Sequence, residues 1–349
     1  MLLIKKLTEA YGVSGDESGV RNLLREELTP YAEKIETDSL GNLYIKKGIG
    51  KKPRVMVAAH MDEIGLMVVG IESNGLLQVK TVGGVDERVL VSKPVVVGEN
   101  HVPGVIGAKA IHLQKPHERK KPLEVEQLYI DIGVKNKEEA EKMVKIGDYA
   151  AFLATTHEIG DNCLIGKAMD NRVGCAILAE LVKEDYDLEL TAVFTVQEEI
   201  GLRGASVAAY NVHPDFALVL EGTTASDVAG VEDTGYVTKL GGGPAISIMD
   251  SSFIAPQKVI NFLVETAKKL NLPFQLRRLT TAGTDAGAIS QAHGGIPSAV
   301  ISVPCRYLHS PTSIISLDDY ENTLRLAKGV LMAIAEGGLS LEGFAEKIK

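Results

Sequence analysis

The chain has 349 residues, enough for two domains, and 45% of them are hydrophobic, enough to bury a sizeable core. A formal net charge of −9 argues against nucleic acid as the main partner, because phosphate binding needs clustered Lys and Arg. The start lacks a secretory pattern, no apolar run approaches the ~20 residues of a membrane span, and the three cysteines fit reduced thiols. We therefore expect a cytoplasmic protein without a membrane partner.

The first sixty residues carry α/β signals. An apolar helical face runs from Val20 to Leu28, after a turn with capping residues at Gly12–Asp16. The run Arg54–Ala59 is apolar and of strand length. Continuous apolar strands are typical of parallel sheets buried on both faces.

The pattern changes between about Leu66 and Leu153, where short strand-like runs alternate with Gly-rich turns. The predicted strands are Leu66–Ile71, Leu76–Val82, Val95–Val97 and Tyr129–Ile132, and one helix is predicted at Lys137–Val144. This alternation predicts a small β-rich domain.

The α/β pattern returns after about Asp161. We predict helices at Asn171–Lys183, Ala255–Leu270, Asp285–Ala292 and Leu317–Ala335, and strands at Thr191–Val196, Phe216–Leu220 and Ala299–Val303. Strands that alternate with helices indicate a mostly parallel sheet covered by helices on both faces. The predicted fold is therefore one discontinuous α/β domain, residues 1–65 and 154–349, with residues 66–153 as an inserted β-rich domain.

Candidate functional groups follow four predicted strands, at the edge where open α/β sheets bind their ligands. These groups are His60, the neighbours Glu198 and Glu199, Glu221 and, a few residues further on, His309. A fifth candidate, Asp170, immediately precedes the helix predicted at Asn171. Taken singly, each has an ordinary structural interpretation, such as a helix N-cap for Asp170. Together at one rim they would repel and desolvate one another unless cations held them. The set therefore predicts a two-metal site.

The residue types fit such a site. Imidazole and carboxylate ligands suit Zn, Co or Mn. Two ions need a bridging carboxylate, and a further carboxylate must stay free to accept a proton from water. Glu198 and Glu199 can divide the roles of base and ligand, and Asp62 is placed to orient the imidazole of His60.

Several motifs in this order resemble the tetrahedral-type M42 metallo-aminopeptidases along nearly the whole chain. The motifs are Tyr11-Gly12-Val13-Ser14-Gly15, Ala59-His60-Met61-Asp62-Glu63-Ile64-Gly65, Gly83-Gly84-Val85-Asp86, Ala168-Met169-Asp170-Asn171-Arg172, Val196-Gln197-Glu198-Glu199-Ile200-Gly201-Leu202-Arg203-Gly204, Gly283-Thr284-Asp285-Ala286-Gly287 and Arg306-Tyr307-Leu308-His309-Ser310.

The resemblance implies a zinc-exopeptidase-like fold and two divalent ions, Zn or Co, in each subunit. One ion would be held by His60 and Glu221 and the other by Glu199 and His309, with Asp170 as the bridge. Glu198 would be the general base, and Asp285 would lie behind the ligands. Many relatives carry Asp where this chain has Glu221, which leaves relative metal affinities open. The resemblance also implies that the insertion is a dimerisation domain and that dimers build a homododecamer.

Three other functions are alternatives to an aminopeptidase. A glycoside hydrolase could use Glu198 and Glu221 as acid and base, but aromatic residues are only 5% and tryptophan is absent, which disfavours sugar platforms. A non-catalytic scaffold is disfavoured by the intact ligand set. An N-acyl amino acid hydrolase or carboxypeptidase of the same metallohydrolase type is the nearest alternative. A requirement for a free amine in the substrate would separate it from an aminopeptidase.

Substrate preference rests on the stretch after Glu221, which carries Asp227, Glu232 and Asp233 and has no basic residue before Lys239. A partly desolvated carboxylate there would favour Lys or Arg at the peptide N-terminus, because charge-assisted hydrogen bonds are the stronger ones. The alternative is that all three are solvated loop charges. Glu232 and Asp233 are thus the candidate substrate-binding residues.

Overall fold

A computed structural model describes residues 2–116, 118–277 and 282–340. The helices are Leu2–Glu9 (α1), Ser18–Leu28 (α2), Lys137–Ala140 (α3), Met169–Val182 (α4), Arg203–Val212 (α5), Gln257–Lys269 (α6), Asp285–Ser290 (α7) and Leu317–Ala335 (α8). The strands are Lys34–Thr37 (β1), Leu43–Lys47 (β2), Arg54–His60 (β3), Gly65–Ile71 (β4), Leu77–Val82 (β5), Pro94–Val97 (β6), Val102–Ala108 (β7), Leu128–Asp131 (β8), Tyr149–Phe152 (β9), His157–Ile159 (β10), Cys163–Gly166 (β11), Glu189–Thr195 (β12), Phe216–Thr224 (β13), Ala245–Ser247 (β14), Gln275–Arg277 (β15), Ser298–Arg306 (β16) and Ser313–Ser316 (β17).

The central sheet has the strand order β1-β2-β12-β3-β13-β16-β17-β11-β10, and β14 and β15 extend it from β16. Its four inner strands, β12, β3, β13 and β16, are parallel. The flanking strands pair in antiparallel fashion. The carboxyl ends of the four inner strands therefore lie at one edge of the sheet.

Both faces of the sheet are buried under helices. Along β3, Val55 and Val57 pack into the core that contains buried side chains of α1, α2, α4 and α8. The alternate residues Met56 and Ala58 pack into a second core with α5 and α7. Because neighbouring side chains of a strand point to opposite faces, an uninterrupted apolar run is what a strand between two cores requires.

The inserted segment forms a closed six-stranded barrel in the order β4-β5-β8-β7-β6-β9, in which β9 pairs with β4. It has its own apolar core, which includes Leu66, Val79 and Ile130. Closure leaves no free sheet edge within the barrel.

The predicted fold class is confirmed: an α/β domain with a helix-covered sheet carries a separate small β domain. Of the described elements, sequence patterns missed the helices α1 and α5 and the strands β1, β2, β7, β9, β10, β11, β14, β15 and β17. They overestimated α3, which ends at Ala140. Among the described residues, no helix combines the length and the apolar character needed to cross a membrane.

Candidate metal centre

The polar groups predicted at the strand ends come together at the carboxyl edge of the inner strands. His60 is the last residue of β3 and pairs in register with Thr195, the last residue of β12. Glu198 and Glu199 follow in the next turn. Glu221 lies within β13, which continues to Thr224 because its last residues pair with β16. The predicted end of this strand at Leu220 was therefore too early.

Two three-residue groups share the carboxylate of Asp170. Its Oδ1 lies 3.3 Å from His60 Nε2, which is 3.5 Å from Glu221 Oε2. Its Oδ2 lies 3.4 Å from His309 Nε2, which is 3.3 Å from Glu199 Oε1. Within each group, the potential ligand atoms all lie within 4.8 Å of one another. Asp170 therefore presents one oxygen to each group.

The backbone conformation at Asp170 leaves its carboxylate available to both groups. Asp170 has non-helical angles (φ −84°, ψ 109°), and so does Asn171 after it. The helix is capped by Asn171, whose Oδ1 accepts a hydrogen bond from Gly174 N at 3.1 Å. The Asp170 carboxylate is therefore not used as an N-cap, which excludes its ordinary structural interpretation.

Asp62 connects both groups from behind. Its Oδ1 lies 3.4 Å from His60 Nδ1 and accepts from Glu198 N at 3.0 Å. Its Oδ2 accepts from Glu199 N at 3.1 Å and from the hydroxyl of Ser14 at 2.6 Å. The backbone carbonyl oxygen of Asp62 also lies 3.2 Å from His60 Nδ1. One buried residue therefore holds an imidazole of one group, the backbone of a ligand in the other, and the backbone of the candidate base.

The electrostatics of the site are those of a crowded acidic pocket. Burial raises the pKa of Glu198 well above its usual range, and burial raises the pKa of Glu199 to about 8 and that of Glu221 to about 7, although nearby imidazoles oppose each shift. Burial would lower the pKa of His60, but the charges of Glu198 and Glu221 raise it well above the usual value. These groups cannot all adopt their usual charge states side by side without compensating charge.

The donor set fits a pair of divalent cations. Two buried carboxylate oxygens, Asp170 Oδ1 and Glu221 Oε1, have no hydrogen-bond partner among the described residues. Buried acceptors of this kind are costly unless something binds them. Two imidazole nitrogens and three carboxylates form a nitrogen and oxygen set that suits Zn, Co or Mn.

The barrel contributes to the site through the loop after β5. His309 Nδ1 lies 3.1 Å from the carbonyl oxygen of Gly84. A Cβ atom on Gly84 would lie only 3.2 Å from the same nitrogen, and one on Gly83 would lie 3.2 Å from Glu199 Cβ. The two glycines therefore let the barrel backbone approach both His309 and Glu199.

Three loops that carry site residues contain a non-glycine residue in the left-handed region. Ala168 has φ 51°, Gln197 has φ 56° and His309 has φ 54°. Such conformations cost about 1–3 kcal/mol each and cluster at functional sites. The surrounding contacts must therefore hold these loops in place.

A cavity of about 390 Å³ opens onto the site. Acidic groups line it, among them Glu198, and Arg277 is also among the lining residues. Burial lowers the pKa of Arg277, whereas Asp250 and Glu221 oppose that shift. Sequence reasoning did not identify Arg277, which lies in a short polar stretch without a motif.

Asp285 lies behind the site as the first residue of α7, and the N-cap of this helix is Thr284. Its Oδ2 accepts a hydrogen bond from the Thr195 hydroxyl at 2.5 Å, and burial raises its pKa to about 6.

Asp227 and Glu232, two of the acidic residues in the stretch predicted to select the substrate, lie in different surroundings. Asp227 is half-buried and forms an ion pair with Arg306 at 2.5 Å. Glu232 is exposed, and the described residues that line the cavity do not include it. The side chain of Asp233 lies outside the part of the chain that the structure describes.

Comparisons with known proteins agree with the geometry. The model of the family described as M42 glutamyl aminopeptidase matches residues 41–326. A protein of Acetivibrio thermocellus named as an aminopeptidase is 44% identical over 93% of this chain and 96% of its own. The lysyl aminopeptidase of Pyrococcus furiosus is 34% identical (94% and 96% covered), and the glutamyl aminopeptidase of Lactococcus lactis is 32% identical (95% of each).

Solved structures show the same fold. A TET aminopeptidase from a marine sediment Thaumarchaeota archaeon aligns with a TM-score of 0.93 at 37% identity, over 97% of this chain and 98% of its own. TET1 peptidase of Pyrococcus horikoshii, described as assembling into a tetrahedron or a large octahedral shell, aligns at 0.85 with 32% identity (95% and 98%). A Thermotoga maritima protein described as an endoglucanase aligns at 0.80 with 37% identity (95% and 97%).

Proposed function

The chain belongs to the M42 family of aminopeptidases and is a hydrolase of peptide bonds, and from this premise we propose that it removes N-terminal residues from peptides with two divalent metal ions. The observation that supports the pair of ions is the single carboxylate of Asp170 shared by two three-residue groups. His60 and Glu221 would hold one ion, Glu199 and His309 the other, and Asp170 would bridge them. The ions would be Zn²⁺ or Co²⁺.

The bound ions would polarise the scissile carbonyl and make water more acidic. Glu198 accepts the proton of the attacking water at its carboxylate as the water oxygen adds to the carbonyl carbon. Glu198 then donates that proton to the peptide nitrogen as the C–N bond breaks. Its backbone N–H is held by Asp62, which fixes the start of this side chain beside the site.

Substitution of the base tests this assignment. Glu198→Gln keeps shape and hydrogen bonding but cannot accept a proton, so turnover should fall about 10²–10⁴-fold. The variant should still bind two ions, as measured by metal analysis. Near-normal turnover by this variant would transfer the role of base to another residue.

Substrate panels separate the alternative activities. Aminoacyl-anilides and peptides with a free N-terminus should be cleaved, chelation should abolish the activity, and Zn²⁺ or Co²⁺ should restore it. Cleavage only of N-acylated substrates would indicate the acyl hydrolase. A soluble β-glucan should remain intact, and its hydrolysis would favour a carbohydrate substrate. Full activity of a verified metal-free sample would refute the metal assignment.

Two hypotheses concern the preferred N-terminal residue. Exposed Glu232 and its neighbour Asp233 would favour Lys or Arg, and one relative is named a lysyl aminopeptidase. Arg277 beside the cavity would instead favour Glu or Asp, and another relative is named a glutamyl aminopeptidase. Arg277 supports the second hypothesis more strongly because it is 95% buried, and charge-assisted bonds strengthen when water is excluded.

The two hypotheses predict opposite rankings of kcat/KM. Substrates with N-terminal Glu, Lys and Leu should be compared on the wild type, on Arg277→Met and on Glu232→Gln. If Arg277 selects the side chain, Arg277→Met should lose the preference for Glu, and Glu232→Gln should match the wild type. A Lys preference that disappears in Glu232→Gln would favour the acidic loop. A ranking that neither substitution changes would reject both.

The barrel, residues 66–153, is proposed as the dimerisation domain, and twelve chains as the full assembly. Large apolar side chains are exposed on it, which is typical of an interaction surface: Val69, Val91, Val105, Ile111, Leu113, Met143, Ile146 and Leu153. Light scattering should give a mass near twelve chains for the wild type and a smaller mass for an Ile111→Asp, Leu113→Asp variant. A wild-type monomer at micromolar concentration would contradict the proposal.

A further inference from the structure

We propose that three buried charged residues, Glu63, Lys167 and Arg172, act as positioning residues that set the separation between His60 and Asp170. We call them the charge cluster. Their relative exposures are 2%, 1% and 0%. The inference rests on the proposed two-metal function, because it concerns how the ligands of that site are held.

The cluster joins two loops through direct contacts. Lys167 Nζ donates to both carboxylate oxygens of Glu63, at 2.6 and 2.8 Å. Arg172 Nη2 donates to Glu63 Oε1 at 3.1 Å, and Arg172 Nε donates to the carbonyl oxygen of Met61 at 2.8 Å. Met61 directly follows the ligand His60.

The charged residues of the cluster lie close in sequence to two of the proposed metal ligands. Glu63 lies three residues after His60, whereas Lys167 and Arg172 lie three residues before and two after Asp170. The ion pairs therefore close a ring of chain around the contact between His60 Nε2 and Asp170 Oδ1, which lie 3.3 Å apart. A substitution in the charge cluster must therefore change this distance, unless shifts elsewhere in the structure compensate for it.

The N-terminal segment completes the cluster. Lys167 Nζ also donates to the carbonyl oxygen of Ala10 at 2.8 Å, and Arg172 Nη1 donates to that of Leu7 at 2.5 Å. Gly12 N donates to Glu63 Oε1 at 3.0 Å. Each of the three charged side chains therefore has hydrogen-bond partners, and these partners fix its orientation.

Stability alone does not account for three buried charges. Taking ions out of water costs several kcal/mol each, and well-packed apolar replacements are often neutral or stabilising. Directional contacts at fixed distances are what a metal site needs, since outer contacts of ligands typically change metal affinity 10–100-fold. The cluster supplies such contacts to the loops on both sides of the shared carboxylate.

Arg172→Lys is the most informative substitution. It keeps the positive charge, but a single ammonium cannot reach Glu63, Met61 and the N-terminal carbonyls together, as the guanidinium does. Lys167→Met is the second variant, which removes one cation and leaves Glu63 paired with Arg172. Arg54→Lys is the matched control, because Arg54 pairs with Asp215 at the opposite end of the same strand, β3.

Co²⁺ is the probe, titrated into each metal-free protein in competition with a chelator, while visible absorption reports the coordination geometry. We expect Arg172→Lys and Lys167→Met to weaken binding of at least one ion about tenfold or more and to alter the spectrum. Arg54→Lys should match the wild type in both readouts. The thermal midpoints of metal-free proteins give an independent measure of the fold.

The outcomes are distinguishable. A wild type that binds no Co²⁺ would refute the proposed function and the inference with it. A wild type that binds two ions, together with folded cluster variants of unchanged affinity and spectrum, would overturn the inference alone. Failure of both cluster variants to fold would show that the cluster serves the whole fold, and it would overturn the positioning role too.

Discussion

Replacing Asp62 with Asn removes one acceptor from the connection between the two ligand groups. Each oxygen of Asp62 faces two donors: Oδ1 faces Glu198 N and His60 Nδ1, and Oδ2 faces Glu199 N and the Ser14 hydroxyl. The amide nitrogen of Asn cannot accept at either position. Some donor must therefore lose its partner.

The geometry indicates which donor is lost. With the amide nitrogen at the Oδ2 position, Ser14 can rotate its hydroxyl and accept, so only Glu199 N–H is left without an acceptor. In the opposite orientation, Glu198 N–H would lose its acceptor, and the amide NH₂ would face His60 Nδ1, which would keep only the Asp62 carbonyl oxygen at 3.2 Å. We expect the first orientation, and hence the loss of one hydrogen bond to a charged acceptor, about 1.5–3 kcal/mol.

That loss falls on the backbone of a proposed metal ligand. It corresponds to a decrease of about 10–100-fold in affinity for the ion held by Glu199 and His309. The affinity should be measured by competition with a chromophoric chelator. Activity should recover in part at high metal concentration, because the catalytic groups themselves remain.

Asp215→Asn is the matched control. The carboxylate of Asp215 accepts from Arg54 N at 2.8 Å at the far end of β3, away from the site. It should lose some stability but bind metal as the wild type does. An Asp62→Asn protein that folds and binds both ions within about threefold of the wild type would refute the reasoning.

Two further predictions follow from contacts around the site. Gly84→Ala should lower the affinity for the ion held by His309 about tenfold, because the new Cβ would lie 3.2 Å from His309 Nδ1. Gly107→Ala is the control: its new Cβ would have its nearest neighbour 3.8 Å away, and Co²⁺ binding should not change. Glu17 is buried, and burial raises its pKa to about 7, so its contribution to stability is present below pH 4.5 and is lost as the pH rises through 7. The thermal midpoint of the wild type should therefore fall relative to Glu17→Gln between pH 5 and 8, and parallel pH profiles of the two proteins would contradict this.

Local patterns predicted the features that local physics determines. The apolar run at Arg54–Ala59 indicated a strand buried on both faces, and the structure has β3 at Arg54–His60. The helix α1 was missed because it has only eight residues, and its burial depends on tertiary contacts of Leu3 and Leu7. Strand β7 was missed because it contains proline and glycine, which disfavour strands.

The site shows the same difference between features that local sequence determines and features that depend on tertiary contacts. The rule that parallel strands end at one edge was enough to group His60, Glu199 and His309 from sequence. The contacts that hold them were not predictable, because they join distant segments: Glu17 accepts from Gln197 N across 180 residues of chain. No periodicity or spacing encodes such a pair. The order of the strands in the barrel was out of reach for the same reason.

The contact between Gly84 and His309 has a consequence for engineering a smaller enzyme. Since the barrel is one continuous insertion, joining residue 65 to residue 154 would look like a simple way to obtain a minimal catalytic unit. Such a deletion would also discard the carbonyl group that orients His309 Nδ1. A shortened design would need to retain residues 83–84 on a graft, or to supply a new acceptor at the same distance.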